Sequence, residues 1–162
     1  MILREARTED SAICAEIHIA SWLDAFADIV SEEVMTRMTN RDRQEQVYAF
    51  AAESSSHHGL LIPAEEPLGM AWYGPARRSE MKDAAELICI HVRKEGQGRG
   101  LGRALLEHTL ADMKQNGYDR CYLWVFRDNE KARRFYEAMG FVPSAERKST
   151  LEAEEIMYRK EL

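Results

Sequence analysis

The chain has only three cysteines in 162 residues, Cys14, Cys89 and Cys121, and no Cys-x-x-Cys pair. An odd number spaced so far apart excludes a disulfide framework and a zinc ribbon, so the three read as buried thiols. A basic excess is also lacking: 22 Lys and Arg stand against 28 Asp and Glu, a formal charge of −6. Bulk attraction to nucleic acid or to an anionic membrane is therefore excluded as the basis of function, and any polyanionic ligand must be held by a local site. No apolar run approaches the roughly 18 residues that a membrane span requires. The opening Met1-Ile2-Leu3-Arg4-Glu5 has neither the length nor the order of a signal peptide, which makes the cytoplasm the expected compartment. There is no internal repeat, low-complexity tract or linker. What is present, 45% apolar and 31% charged residues, is the balance of an ordinary globular chain, long enough for a single domain over residues 1–162.

Hydrophobic periodicity then divides the chain. Residues 2–4 predict a short strand, and Thr8 is placed to cap a helix that carries Ile13, Ile17 and Ala20 and runs on through Trp22 and Phe26. A second helix carries Val34, Met35 and Met38, and a third Val47, Phe50 and Ala51, before the polar loop of residues 54–59. Residues 60–62 and 68–73 predict a hairpin, and the charged stretch 77–83 the next connection. Residues 86–92, Glu-Leu-Ile-Cys-Ile-His-Val, are almost continuously apolar, the pattern of a strand covered on both faces. A helix with Leu106, Leu110 and Met113 ends at Gly117, and a second buried strand follows at 121–126. Asp128 or Asn129 can cap a last helix with Ala132, Phe135, Tyr136 and Met139 on one face and Gly140 as its stop. Residues 141–145 and 156–160 predict two closing strands.

Four of the nine glycines, Gly96, Gly98, Gly100 and Gly102, fall within seven residues between the buried strand and the amphipathic helix. A loop without Cβ atoms lets backbone N–H groups converge, and the helix that follows adds its own free N–H groups and positive dipole end; together they suit a phosphate or pyrophosphate. A Walker loop would need Gly-Lys-Ser/Thr, and here Leu101 and Arg103 follow Gly100 and Gly102, which removes the magnesium-binding hydroxyl and nucleotide hydrolysis with it. A dinucleotide fingerprint would need a third glycine where Arg103 stands, which disfavours an oxidoreductase.

Gln97-Gly98-Arg99-Gly100-Leu101-Gly102 resembles the Gln/Arg-x-x-Gly-x-Gly/Ala signature of the GNAT family of N-acetyltransferases. Asn129 to Phe141, closing in Gly-Phe, is similar to that family's Asn-x-x-Ala-x-x-x-Tyr segment. The likeness spans residues 68–141, and the element order extends it over the rest. It implies an α/β fold with a mixed, mostly antiparallel sheet of six or seven strands, splayed at its centre, flanked by helices. Acetyl-CoA would lie in the gap between the strand ending near Val92 and the strand ending near Phe126. On the same likeness Gln97, Gly98, Arg99, Gly100, Leu101, Gly102 and Arg103 would hold the pyrophosphate. The backbone of Ile90 and Val92 would pair with the pantetheine arm, and Asn129 and Tyr136 would flank the arm and the sulfur.

Moving an acetyl group from a thioester to an amine needs a neutral amine, a stabilised oxyanion and a protonated leaving thiolate. Glu86 opens the central strand eleven positions before Gln97, a spacing found in members of that family with a glutamate base, and on that likeness it is the candidate base, directly or through water, with a solvated strand-end charge as the bland alternative. Tyr136 is the candidate acid, although packing alone could place it on its helix face. Cys89, in an apolar strand, would be a poor nucleophile, so direct transfer is preferred. Arg93, Lys94, Arg99, Arg103, Lys131, Arg133 and Arg134 form a cationic cluster for the phosphates of CoA. Adjacent His57 and His58 lack further ligands in sequence, and no metal is expected; His18, His91 and His108 have no role beyond packing or surface. The likeness sets Trp22 and Phe26, i, i+4 neighbours, on the acceptor wall, against an equal reading of both as core. The reaction read here is acetyl transfer to a primary amine of a small molecule or peptide. The alternative is a catalytically silent acyl-CoA-binding or sensing module on the same fold. Neither nucleic acid nor membrane is an expected partner, and self-association as a homodimer is left open.

Overall fold

Polar side chains start three of the helices. Ser31 accepts from the Val34 amide at 3.2 Å to open α2 (Glu32–Met38), and Asn40 accepts from Arg43 at 2.9 Å to open α3 (Arg41–Glu53). Asn129, not Asp128, accepts from Ala132 at 3.2 Å to open α5 (Glu130–Ala138), and each such cap contributes about 1 kcal/mol. Thr8 caps nothing: it lies inside a 3₁₀ turn, Thr8–Asp10, that leads into α1 (Ser11–Ala25). The Asp10 carboxylate does that work instead, accepting from the Arg7 amide at 2.8 Å and from both terminal nitrogens of Arg4. Phe26 is the residue that ends α1.

The computed structural model describes residues 3–78 and 80–162, so Ile2 of the first expected strand lies outside the described residues. Seven strands are present among them: β1 (Arg4–Glu5), β2 (His58–Ile62), β3 (Gly69–Pro75), β4 (Ala84–Val92), β5 (Arg120–Phe126), β6 (Val142–Lys148) and β7 (Glu155–Glu161). They form one sheet in the order β1-β2-β3-β4-β5-β7-β6. Gly59 is part of β2 rather than of the loop before it, and Leu68 stands just outside β3. Every neighbouring pair is antiparallel except β4 and β5, which α4 (Leu101–Gln115) joins as a parallel crossover. That parallel pairing covers only Ala84–Glu86 against Arg120–Tyr122. Beyond Glu86 and Tyr122 the two strands separate and the sheet splays.

A β-bulge sets which side chains face each side of the splay. Trp72 of β3 stands opposite Cys89 while Tyr73 stands opposite Leu87, so Ile88 is an extra residue with no partner, 43% exposed. Before the bulge Leu87 packs in the larger core with Leu105, Leu106 and Met113 of α4. After it Ile90 and Val92 return to that face, and Cys89 turns to the opposite layer, built by Cys14, Ala15 and Ile17 of α1, Tyr48 of α3 and Trp72. The apolar run 86–92 is thus a strand, but not one covered throughout: its first four residues from Ala84 are buried, and the rest border open space.

One buried chain of polar groups ties α1, α2 and α3 together. The Met38 carbonyl can only accept, so His18 Nε2–H donates to it at 3.0 Å and His18 Nδ1 accepts from the Tyr48 hydroxyl at 2.9 Å. Burial pushes His18 down to about 4, and His91, edge-on to it, down to about 3. In the unfolded chain both protonate near pH 6.5, so the stability each contributes is full above that pH and is lost as pH falls towards the folded values. Tm is therefore expected to drop steeply between pH 6.5 and 4.5; over its full window His18 alone is worth on the order of 3 kcal/mol. Thermal melts of wild type and of a His18→Gln variant check this, the variant having the shallower dependence.

Candidate active site

The gap between β4 and β5 opens into a continuous channel of about 1120 Å³. One mouth is the glycine loop and α5; the other is a chamber walled by α1, α3, Trp124, Phe126 and Glu155. The channel therefore passes through the plane of the sheet where the splay has removed its hydrogen bonds.

At the first mouth Gly98 (φ 72°) and Gly100 (φ 77°) take left-handed conformations, with Gly100 directly before α4. The first-turn amides of Leu101, Gly102 and Arg103 have no intrahelical acceptor and face outward with the positive helix end. Gly102 differs from its neighbours: a Cβ there would stand 3.8 Å from Val92 and 3.9 Å from Phe135, ordinary contacts that the fold tolerates. Gly96 is a packing glycine, where a Cβ would stand 3.0 Å from Val92 and 3.2 Å from Leu101. The Gln97 side chain is turned back, donating to the Val92 carbonyl at 3.1 Å and accepting from Lys131 at 2.9 Å. Arg93 donates its amide to Leu68, so by the two-residue period of a strand Ile90 and Val92 turn their backbone groups to the edge that β5 leaves open.

Most of the expected cation cluster is engaged within the protein, and three of its members border the first mouth. Arg93 leans to Glu16 at 3.6 Å and Lys94 to Asp24 at 3.8 Å. Arg133 is bound to the Tyr158 hydroxyl and the Arg127 carbonyl, and Arg134 to Glu130. Arg103, which leans to Glu107 at 3.9 Å, and Lys131, bonded to Gln97, line the channel, and Arg99 stands exposed beside them in the loop.

Glu86 sits at the apex of the splay and is 2% exposed, so it is no solvated strand end. Its two oxygens accept from Arg77 Nε at 2.8 Å and from an Arg77 terminal nitrogen, and the Tyr122 hydroxyl adds a bond at 2.6 Å. Burial opposes ionisation here, but those donors prevail and hold the carboxyl below its ordinary range. Across the chamber Glu155 is also buried, and burial pushes its carboxyl up. Tyr136 lies on the channel side of α5, in ring contact with Phe135, Phe141 and Tyr158, and burial raises its phenol so that it keeps its proton. Burial likewise lifts Cys89 to about 11, which leaves almost no thiolate for attack at neutral pH.

The family model for the acetyltransferase (GNAT) family matches residues 17–141. The chain belongs to the GNAT family. It is 27% identical over 139 residues to the uncharacterized N-acetyltransferase YuaI of Bacillus subtilis, covering 84% of this chain and 77% of that one. It is 33% identical over 142 residues to the mycothiol acetyltransferase of Thermobispora bispora, 83% of this chain but 45% of that relative's length. Among solved structures, the PaiA N-acetyltransferase of Thermoplasma acidophilum in complex with coenzyme A superposes with a TM-score of 0.84 at 21% identity, covering 99% and 98% of the two chains.

As a GNAT member the chain is an acetyl-CoA-dependent acyltransferase with the splayed α/β sheet that its motifs imply. Within that GNAT frame, Trp22 is both core and wall: it is 6% exposed, lies 4.7 Å from Phe26 and 6.2 Å from Phe126 between ring centres, and borders the chamber. Sequence reasoning missed Arg77, Tyr122, Trp124, Lys148 and Glu155. Arg77 was hidden in a charged connection, and the other four become neighbours of Glu86 only through pairing of β5, β6 and β7. Among the described residues no group of three His, Cys, Asp or Glu side chains is arranged to hold a metal, and no helix is long and apolar enough to cross a membrane.

Proposed function

We propose that the protein moves the acetyl group of acetyl-CoA directly onto a primary amine of a small molecule or peptide, in the channel between β4 and β5. The observation that carries this is the continuity of that channel. It links a helix terminus built for phosphate with a chamber that holds buried carboxylates and aromatic rings. In this reading the loop from Gln97 to Arg103 takes the pyrophosphate, and the open edge of Ile90 and Val92 takes the pantetheine arm beside Asn129. The unpaired N–H groups of that edge are the donors for the oxyanion.

An alkylammonium, with a pKa of about 10.4, must lose a proton before its nitrogen can attack the thioester carbonyl. Glu86 is the buried carboxylate at the apex; with Arg77 and Tyr122 on its oxygens it acts on that nitrogen through its charge and through water rather than by taking the proton directly. As the C–S bond breaks, Tyr136 donates to the departing thiolate. Cys89 takes no acetyl group. The three free thiols suit a reducing cytoplasm, and no metal, nucleic acid or membrane enters the reaction.

A thiol-release screen with acetyl-CoA across polyamines, aminoglycosides, amino acids and N-terminal peptides tests the proposal; no release with any amine refutes it. Trp22 and Phe26 give a finer check. Phe26→Ala is expected to raise KM for the best amine about tenfold with KM for acetyl-CoA unchanged, the signature of lost acceptor binding. Trp22→Ala, which also empties core, is expected to lower Tm as well by the equivalent of roughly 3 kcal/mol.

A further inference from the structure

Two buried carboxylates face the acceptor chamber, and the structure treats them differently; a third carboxylate on its wall, Asp24 of α1, is exposed and leans to Lys94 at 3.8 Å. Glu86 comes from β4 and Glu155 from β7, where Glu155 stands in register with Phe126 at the open end of β5. Three strong donors fill the oxygens of Glu86, two from Arg77 and one from Tyr122. A proton placed on Glu86 would have to displace one of them. Glu155, 7% exposed, has only the Thr150 hydroxyl at 3.3 Å and the Lys148 ammonium at 3.9 Å, both on Oε2. Its Oε1 has no partner among the described residues. Lys148 is itself drawn aside, its ammonium 4.6 Å above the Trp124 ring, so it does not close on the carboxylate.

We propose that Glu155 is the group that takes the acceptor's proton, while Glu86 stays ionised and supplies the charge that draws the ammonium into the chamber. The proposal rests on the channel being the acetyl-transfer site. The charged groups facing Glu155 are Lys148 from β6, Arg77 from the β3–β4 connection and Glu86 from β4. Burial and Glu86 push Glu155 up, and Lys148 and Arg77 only partly oppose them. A pair of carboxylates whose surroundings drive them apart in this way divides into a fixed charge and a proton carrier. The step balances. An ammonium N–H passes its proton to Glu155, the freed lone pair forms the N–C bond and the C–S bond breaks. The second proton of that nitrogen, lost as the amide forms, restores the phenol of Tyr136 after it has protonated the thiolate. Glu155 then returns its proton to solvent, and the net release is one proton per acetyl transferred.

The experiment is the pH dependence of kcat/KM for the best amine in wild type, Glu155→Gln, Glu155→Asp, Glu86→Gln and Lys148→Met, with acetyl-CoA affinity measured by calorimetry as the control for folding. In wild type the rate should fall on the acid side through a limb above the ordinary carboxylate range. Glu155→Gln should lose about 10²-fold in kcat together with that limb, and Glu155→Asp should recover part of both. Glu86→Gln should raise KM for the amine and keep the limb, moved to lower pH because a negative charge that pushes Glu155 up is gone. Lys148→Met, which removes a nearby positive charge, should move the limb to higher pH, and that shift decides the matter if Glu155→Gln does not fold. A wild-type rate and limb in Glu155→Gln, loss of the limb in Glu86→Gln alone, or an unmoved limb in Lys148→Met would overturn the proposal. Absence of turnover by wild type with every amine would instead overturn the acetyl-transfer reading.

Discussion

A Gly98→Val, Gly100→Val double variant is expected to bind acetyl-CoA about 10²-fold more weakly than wild type while keeping its fold. The space around both residues is empty, so the effect does not come from a clash within the protein. It comes from backbone conformation: φ is 72° at Gly98 and 77° at Gly100, where an L-residue costs roughly 1–2 kcal/mol and a β-branched one more. The loop relieves that strain by leaving the left-handed region, which scatters the N–H groups gathered in front of α4. Two such positions amount to roughly 3 kcal/mol, the free-energy equivalent of about two orders of magnitude in Kd. Gly102→Ala is the internal comparison. Its Cβ has room within the protein and alanine favours helix by about 1 kcal/mol, so Tm should not fall. Any loss of affinity in that variant reports how closely the ligand approaches the helix. Calorimetric titration of the folded variants decides; wild-type affinity in the double variant would remove the glycine loop from the site.

Tyr136→Phe is expected to lower kcat by about 10²–10⁴-fold with little change in acetyl-CoA affinity or in Tm. The ring is held by Phe135, Phe141 and Tyr158, contacts that phenylalanine keeps. Its hydroxyl makes no hydrogen bond to the described residues, so the substitution leaves no buried partner unsatisfied. Burial raises the phenol, which keeps the proton in place through neutral pH and makes the group a donor rather than a base. Its transfer to a thiolate is uphill when considered alone, so its worth lies in stabilising sulfur charge as the bond breaks. Steady-state kinetics with saturating amine test this. An unchanged kcat would return Tyr136 to a packing role.

The two motif segments could be read directly because their chemistry is local: glycines that a positive φ requires, and an asparagine that caps the helix it begins. Glu86 stood out for a similar reason, as a carboxylate heading an apolar strand. Its partners did not. Arg77 reaches Glu86 through the β3–β4 hairpin, from a connection that read only as charged, while Tyr122 and Glu155 come near Glu86 only after β4 pairs with β5 and β5 with β7, and no spacing along the chain encodes that register. The bulge at Ile88 was hidden too, since an unbroken apolar run looks the same with one face reversed. Thr8 failed as a cap because Asp10, two residues on, already serves the Arg7 amide and Arg4 with a charged group. The cation cluster was overcounted for want of the carboxylates, Glu16, Asp24 and Glu130, that claim Arg93, Lys94 and Arg134 in the folded protein.

The most direct test of the central claim is a stoichiometric one. Wild-type protein is given acetyl-CoA labelled in its acetyl group and the best amine from the screen, and amide, free thiol and intact protein mass are followed together. Direct transfer in the channel predicts one amide for each thiol released and a protein mass that never gains an acetyl group, Cys89 included. Thiol release without amide, or an acetylated protein that forms before the amide does, would contradict it.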